Sequence, residues 1–483
     1  MINLTIAWIC VPLLFGFIVY LIPKLDKYLA LLTTLISVIY SLQILLNNYN
    51  LKFQLLDNFG VTFRVDNISG YFILTNAIVT AAVIIYCWQK DKIAFFYGQI
   101  IFLHVSLNSA FITTDFLSLY VALEVIGMVA FLLIAYPRTD QSLWVALRYL
   151  FISSIVMLFY LGGAILVYKA NNSFDFEGLK NSPPEAFVLI FLGLLVKGGI
   201  FFSGLWLPMT YAESDTPISA LLSGIVTKAS ILPLIRCAEI NDDIDLVIRI
   251  LGVATAILGV CYAVLEKDIK RMFAFSSISQ LGFILASPAV GGFYTLTHGL
   301  AKCALFLTIG YLPTRNLTEL KNNGINTSVW IPLTLASISV IGFPFFSSFE
   351  AKVLTLNNLL PWQIIPMNIV AIGTAIYFFQ LILLPHKSNQ DRNISFNLFL
   401  AVTLLIFFLL STNIIYYQAY ILSNIFKALL ITLIGFLLYN FILKKVVIKM
   451  SRILEEFDHL VGFMALMCLF LYAILFFIPN NWF

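Results

Sequence analysis

Charge is what this chain has least of. Only 11% of its 483 residues are Asp, Glu, Lys or Arg, where a soluble protein carries roughly a quarter. That deficit excludes a soluble globular class. Six cysteines (Cys10, Cys87, Cys237, Cys261, Cys303 and Cys468) are scattered with no C-x-x-C pair, which argues against iron–sulfur clusters, structural zinc and a disulfide framework. No G-x-G-x-x-G follows a strand, no P-loop is present, and no His/Cys group has metal-ligand spacing. The chain therefore has no visible means of hydrolysing ATP or carrying electrons, and neither cofactor nor metal is expected. A net charge of +4 says little about partners beyond giving no sign of nucleic-acid binding, because the basic residues follow topology.

What is present is apolar sequence. Hydrophobic residues make up 61% of the chain, and runs of about eighteen or more recur along nearly its whole length. The expectation is an all-α polytopic membrane protein with about 14–16 spans. Candidate spans are 2–22, 28–47, 68–88, 93–113, 114–136, 143–168, 186–210, 217–238, 244–265, 273–290, 293–312, 328–358, 362–384, 395–413, 419–443 and 458–479. The first is long enough to cross and lacks a small-residue cleavage site after it. Leu51 to Val65 alternates around Asn58-Phe59-Gly60, predicting a β-hairpin on the membrane surface. Lys and Arg crowd one set of alternate loops, including Lys24, Lys27, Lys90, Lys92, Arg138, Lys267, Lys270, Arg271, Arg315 and Lys321. The other set holds only Lys52, Arg64, Lys169, Lys180 and Arg236. The positive-inside bias makes the first set cytoplasmic and puts both termini on the non-cytoplasmic side.

The stretch Lys197 to Arg236 organises the rest. A lysine lies deep in an apolar run, the run is interrupted at Trp206-Leu207-Pro208, and a polar break follows at Glu213–Pro217. A second apolar run then buries Lys228. Charge at membrane depth is costly and marks ion paths, and broken helices line polar cavities. Glu124 sits about ten residues from either end of its span and must be paired or protonated; Lys197 is its natural partner. Lys228 is too far from the span ends to snorkel; its bland reading is a lysine bonded to helix carbonyls. His298 and Lys302 are four apart and share a helical face; a histidine suits a proton relay, and a core histidine bonded to a carbonyl is the alternative. Lys352 reads either as the end of the relay or as an interfacial lysine, with Glu350 close by. His104 is weaker, Asp115 reads equally as a helix N-cap, and Lys427 as a snorkelling or partner-facing residue. The break at Gly342-Phe343-Pro344 before Lys352 echoes the one near Lys197, which points to two inverted-topology repeats each containing a broken helix.

These residues, in this order, resemble a known family: the antiporter-like subunits shared by Mrp-type Na⁺/H⁺ antiporters, respiratory complex I and membrane-bound hydrogenases. The resemblance rests on Glu124; Lys197, Trp206-Leu207-Pro208, Pro217-Ile218-Ser219-Ala220, Lys228 and Arg236; Asp268-Ile269-Lys270-Arg271 through Ser276-Ser277-Ile278-Ser279-Gln280-Leu281-Gly282; His298 and Lys302; and Gly342, Pro344, Phe349 and Lys352. It covers roughly residues 60–385. Phe202-Ser203-Gly204 stands where many members carry a histidine, which looks most like the D-type Mrp subunit, and Arg148 stands where a lysine is usual. The resemblance implies a fourteen-span core with Glu124–Lys197 controlling proton transfer through Lys228, His298 and Lys302 toward Lys352. It divides the chain into 1–92 (N-terminal spans and hairpin), 93–240 (first repeat), 241–385 (second, inverted repeat) and 386–483 (C-terminal spans). It implies an ion-translocating subunit of a multisubunit Na⁺ or K⁺/proton antiporter, a secondary transporter subunit rather than an enzyme, in the lipid bilayer of a bacterial plasma membrane with other membrane subunits as partners. The alternative is a proton-pumping membrane-arm subunit of an NAD(P)H or ferredoxin:quinone oxidoreductase.

Overall fold

The computed structural model describes residues 2–56, 60–388, 395–445 and 452–477. A bilayer core offers no water to backbone groups, and a helix satisfies them within one segment. The apolar stretches accordingly fold as helices, set off by caps and breakers. α1 (Ile2–Leu21) and α2 (Asp26–Asn47) precede an antiparallel hairpin of β1 (Leu51–Leu56) and β2 (Gly60–Val65), paired from Leu51↔Val65 to Leu56↔Gly60. The expected tip residues Asn58 and Phe59 lie outside the described residues. Asp66 starts α3 (Asn67–Cys87) with a capping box: its carboxylate accepts the Ser69 N–H at 3.0 Å while Ser69 Oγ accepts the Asp66 N–H at 2.9 Å. α4 (Ala94–Ile112), α5 (Phe116–Ile134) and α6 (Asp140–Asn171) follow. Asp115 is the N-cap of α5, accepting from Ser118 N at 2.7 Å and from the hairpin's Thr62 N at 2.8 Å.

The next two passages are broken. α7 (Pro184–Gly198) gives way to a 3₁₀ turn at Phe201–Trp206 and then α8 (Leu207–Glu213). α9 (Thr216–Gly224) unwinds into a 3₁₀ turn at Val226–Ala229 before α10 (Ile231–Ala238). The second half runs α11 (Asp242–Leu265), α12 (Ile269–Ala286), α13 (Gly291–Ile309) and α14 (Leu317–Asn323). β3 (Ile325–Asn326) leads into α15 (Thr327–Ile341), α16 (Ser347–Asn357) and α17 (Pro361–Ile382). β4 (His386–Lys387) pairs with β3, and α18 (Phe396–Ser411), α19 (Leu422–Phe441) and α20 (Phe457–Phe477) end the described chain.

Among the described residues thirteen helices or broken helices are long and apolar enough to cross a membrane, and α12 and the 288–309 segment form a pair bent by 106°. That pair folds back as a hairpin of two passages. Lys302 Nζ reaches the Phe273 carbonyl, both about equally far from the turn, and Asp268 bridges to Asn316. α15 is a shorter apolar helix. The chain is an integral, multi-pass, all-α membrane protein.

The breaks after α7 and α15 share a backbone signature. Each follows a 15-residue helix. Gly199 (φ +72°) with Phe201 (φ +55°), and Gly342 (φ +85°) with Phe345 (φ +85°), take left-handed conformations that glycine adopts freely and that strain a phenylalanine. The expected echo holds for the breaks and not for the lysines: Lys197 precedes its break, whereas Lys352 lies beyond.

Polar contacts define two faces. On the basic face Lys92 pairs with Asp215 at 3.0 Å, and Arg315 donates to the Ala212 carbonyl at 2.6 Å. On the hairpin face Lys52 pairs with Asp175 and Glu177, Arg64 with Glu239, and Arg236 makes two bonds to Asp66 at 2.5 and 2.6 Å. Lys52, Arg64, Asp175, Glu177, Arg236 and Glu239 line a cavity of about 770 Å³.

Candidate functional site

The candidate residues follow the breaks. α5 presents Glu124, half-buried, with one carboxylate oxygen lacking a hydrogen bond among the described residues. α7 carries Lys197 in its last turn, its Nζ donating to the Leu123 carbonyl at 2.8 Å and to Ser153 Oγ at 2.6 Å. Gly127 makes this approach possible, because a Cβ there would sit 2.9 Å from Lys197 Nζ. Glu124 is the carboxylate within electrostatic reach of Lys197, but among the described residues no ion pair joins them. The expected pair are neighbours, not contacts. Here the lysine is held by neutral acceptors while the acid stands by.

Lys228 is completely buried, on the 3₁₀ turn that interrupts the eighth passage. Its Nζ donates to the carbonyl of Ser223 in the last turn of α9. Lys352 does the same across the other half, donating to the carbonyl of Ile341, the last residue of α15, at 2.9 Å. Final-turn carbonyls have no partner inside their own helix and carry the negative end of its dipole. A broken helix thus makes an acceptor for a cation at membrane depth, and the breaks after α9 and α15 each offer one to a lysine. Trp206 uses a third, that of Val196 at 2.9 Å.

The two halves meet beside Lys228. A Cβ on Gly299 would fall 2.8 Å from the Gly224 carbonyl and 2.5 Å from Thr75 Cγ2, so α9 and α13 cross where only glycine fits. This brings His298, next to Gly299, and Lys302 within electrostatic reach of Lys228. Both ring nitrogens of His298 lack hydrogen bonds among the described residues; the alternative of a histidine tied to a carbonyl is not what the structure has. Lys302 Nζ donates to Ser276 Oγ at 2.5 Å and lies over the rings of Phe273 and Phe378.

Sequence reading named the serine-rich box of α12 without giving its members roles. Ser276 takes Lys302 and bonds Tyr377 at 2.8 Å; Ser277 bonds Ser223 at 2.7 Å; Gln280 accepts from Tyr294 at 2.5 Å. Gly282 presses against α11, where a Cβ would meet Ala256 N at 2.4 Å. Ser153 and Tyr377 were not found. Nothing in a lone serine of an apolar run marks it as a lysine's partner, or in a lone tyrosine as that serine's.

Two residues left open now have places. His104 belongs to a polar cluster of the N-terminal helices, its Nε2 2.8 Å from Ser37 Oγ and 3.1 Å from Asn108, and does not join the lysine row. Lys427 of α19 is exposed but lines, with Asn424, a cavity of about 30 Å³ that also holds Lys352, room for a water or two. The C-terminal spans fold back on the first break: Phe463 stacks on Phe202 at 5.1 Å, and Glu455 pairs with Arg271 while its carbonyl accepts from Arg148. Among the described residues no cluster of His, Cys, Asp and Glu could hold a metal.

Comparison with known proteins gives a family and a fold. Residues 113–380 match the family model described as NADH:quinone oxidoreductase/Mrp antiporter, TM. The chain is 26% identical to the D-type subunit of the Na⁺/H⁺ antiporter of Alkalihalophilus pseudofirmus over 72% of this chain and 79% of that protein. It is 28% identical to the N-type subunit of the NADH-quinone oxidoreductase of Desulforudis audaxviator over 67% and 72%. It is 27% identical to the chloroplast NAD(P)H-quinone oxidoreductase subunit 5 of Amborella trichopoda, of which it spans 61%. In fold it resembles a chain of the Mrp complex from Dietzia sp. (TM-score 0.76, 18% identity, 95% of this chain and 99% of that one). It also resembles a chain of respiratory complex I from Thermus thermophilus (TM-score 0.72, 20% identity, 86% and 98%).

Proposed function

Since the chain belongs to the NADH:quinone oxidoreductase/Mrp antiporter transmembrane family, we propose that it is an ion-translocating subunit of a multisubunit monovalent cation/proton antiporter. One observation carries the reading: Lys197, Lys228, Lys302 and Lys352 are each buried, and among the described residues each is hydrogen-bonded only to carbonyls or hydroxyls. Such acceptors bond a protonated lysine and leave it free to give its proton up. Carboxylates would fix the charge. Glu124, near Lys197 but unbonded to it, is placed to set that lysine's proton occupancy, with Lys228, His298 and Lys302 as the middle of the relay. Residues 93–240 and 241–385 form its two repeats. The basic face is cytoplasmic, both termini lie on the hairpin side, and the membrane is a bacterial plasma membrane.

The partners are other membrane subunits, and the chain alone is inactive, because half a relay needs neighbours for ion exchange. The test is cation-driven collapse of a pH gradient in vesicles holding the complex, with no electron donor present. Wild type responds to Na⁺ or K⁺, and Glu124→Ala assembles but is silent. Near-normal exchange by Glu124→Ala would overturn the relay. A gradient made only when NAD(P)H or ferredoxin is oxidised would instead assign the chain to the membrane arm of a redox complex.

A further inference from the structure

Lys302 rests on a hydroxyl that leads further into the protein. Its Nζ donates to Ser276 Oγ at 2.5 Å and to the Phe273 carbonyl at 3.2 Å. Ser277, the next residue of α12, turns its hydroxyl to that same carbonyl at 2.8 Å, as helical serines commonly do. Ser276 does not. Among the described residues its hydroxyl meets only Lys302 and, at 2.8 Å, the hydroxyl of Tyr377 on α17, which is fully buried. Gln280, one turn after Ser276, has its amide oxygen taken by the Tyr294 hydroxyl at 2.5 Å. That turns its Nε2 toward Thr374 Oγ1 at 3.4 Å and toward the Tyr377 hydroxyl. Thr374, also beside the Tyr377 hydroxyl, sends its own proton to the Val370 carbonyl at 3.0 Å and keeps its oxygen free to accept.

These links give Ser276 two complete arrangements. With Lys302 as the ammonium, Nζ donates to Ser276, Ser276 to Tyr377, and Tyr377 to Thr374. With Lys302 neutral the order reverses: Gln280 Nε2 donates to Tyr377, Tyr377 to Ser276, and Ser276 to the Nζ lone pair. Only hydroxyl hydrogens rotate between the two, and neither hydroxyl loses its proton. At this depth an unbonded polar group is costly, so an acceptor that can also donate suits a lysine that changes state. A carbonyl, the acceptor at Lys228 and Lys352, serves the donor hydrogens alone and offers the lone pair nothing.

We propose that Tyr377 is a positioning residue of the relay: acting through Ser276, it keeps Lys302 hydrogen-bonded both with its proton and without it. The inference rests on the relay reading above. The titratable groups that face Lys302 are Lys228 on the turn after α9, His298 on its own helix and, through Ser276, Tyr377. Among the described residues α3, α12, α15, α16 and α18, also packed on α13, bring no charge that acts on it. The proton that Lys302 gains or loses is exchanged along the relay, while Ser276 and Tyr377 only re-aim theirs.

The test uses the whole complex in vesicles, with cation-driven exchange measured across pH. Lys302 leaves its ammonium form as pH rises, so its share of the profile is the alkaline limb. Tyr377→Phe takes away the acceptor of the Ser276 hydroxyl in the ammonium arrangement, whereas in the neutral one Ser276 still donates to Nζ. The alkaline limb should therefore move about one pH unit toward acid, about a tenfold change in proton holding. Ser276→Ala should move it in the same sense, and Tyr377→Phe added to it should move it no further, because the tyrosine acts through the serine. A tyrosine that merely packs would lower exchange equally at every pH. A ring-fluorinated tyrosine at position 377 keeps the shape but donates more readily than it accepts, and should move the limb the same way. An unmoved limb in Tyr377→Phe or, where that variant does not assemble, in the fluorinated protein overturns the proposal. A further displacement when Tyr377→Phe is added to Ser276→Ala does so too. Glu124→Ala separates the two readings: silent beside an unmoved limb, it leaves the relay standing and removes the part of Tyr377; exchanging normally, it removes both.

Discussion

Lys228→Arg separates a proton carrier from a fixed charge. The ammonium is wholly buried and has one bonded acceptor, the Ser223 carbonyl. Arginine would keep a cation at the end of α9, where the helix dipole favours it. Its fork carries five N–H donors, however, against three for lysine, and it does not deprotonate in proteins. Donors left unbonded cost about 1–3 kcal/mol each, so the variant will be less stable and its activity must be normalised to assembled complex. The functional loss is separable from that cost. If each transported proton passes through Lys228, a site that cannot release its proton stops transfer, and exchange falls to the leak, at least about a hundredfold, or roughly 2.7 kcal/mol of barrier. A static cation predicts the opposite ranking, with Lys228→Arg active and Lys228→Ala dead. The assay is cation-driven collapse of a pH gradient in vesicles, alongside native-gel quantification of the complex. Wild-type exchange by Lys228→Arg would refute the reasoning.

Three further outcomes follow from the geometry. Gly299→Val should destabilise the complex by about 1–3 kcal/mol or more, since even a Cβ falls 2.5 Å from Thr75 Cγ2; an unchanged midpoint of thermal inactivation would show that α9 and α13 do not cross so closely. Asp66→Asn can keep the cap on Ser69 but breaks a buried pair with Arg236. That costs roughly 3 kcal/mol at neutral pH, read as a lowered inactivation midpoint. Burial would raise the Asp66 carboxyl, but Arg236 outweighs burial and holds it below its ordinary 3.8. The pair's contribution is therefore full above that value and lost as pH falls below it, so wild type and Asp66→Asn should converge in midpoint at low pH. Convergence at neutral pH would contradict the assignment.

What the sequence made legible was depth and order. A lysine ten residues from either end of an apolar run has few ways to be satisfied in a membrane, so Lys197 and Lys228 stood out without any fold. The Pro and Gly breaks were visible because those residues interrupt helices by backbone geometry alone. The 3₁₀ turn under Lys228 was not. Gly224 can sit in an intact helix, and the unwinding there accompanies a crossing with Gly299 that lies 75 residues away in the chain. The same limit hid the acceptors. Ser276 and Ser153 are ordinary small polar residues until packing sets a lysine against them, and a carbonyl such as that of Ile341 has no signature in any side chain.

That dependence on breaks explains why lysine, among the cations, recurs along the row. A continuous helix offers a buried ammonium only carbonyls already bonded along the axis, as Leu123 of α5 does to Lys197 and Phe273 of α12 to Lys302. Breaking α7, α9 and α15 frees final-turn carbonyls at depth, and Lys228 and Lys352 each take one. The acceptors are neutral and single, so they hold the cation by a dipole and one hydrogen bond, far less than a buried carboxylate would supply. Arg236, paired twice to Asp66 at the hairpin face, is the contrasting case: two charge-assisted bonds pin a helix end and leave nothing to exchange. The difference lies in the acceptor, not in burial. A cation on a broken helix's carbonyl can cycle its proton, while one on a carboxylate is structure.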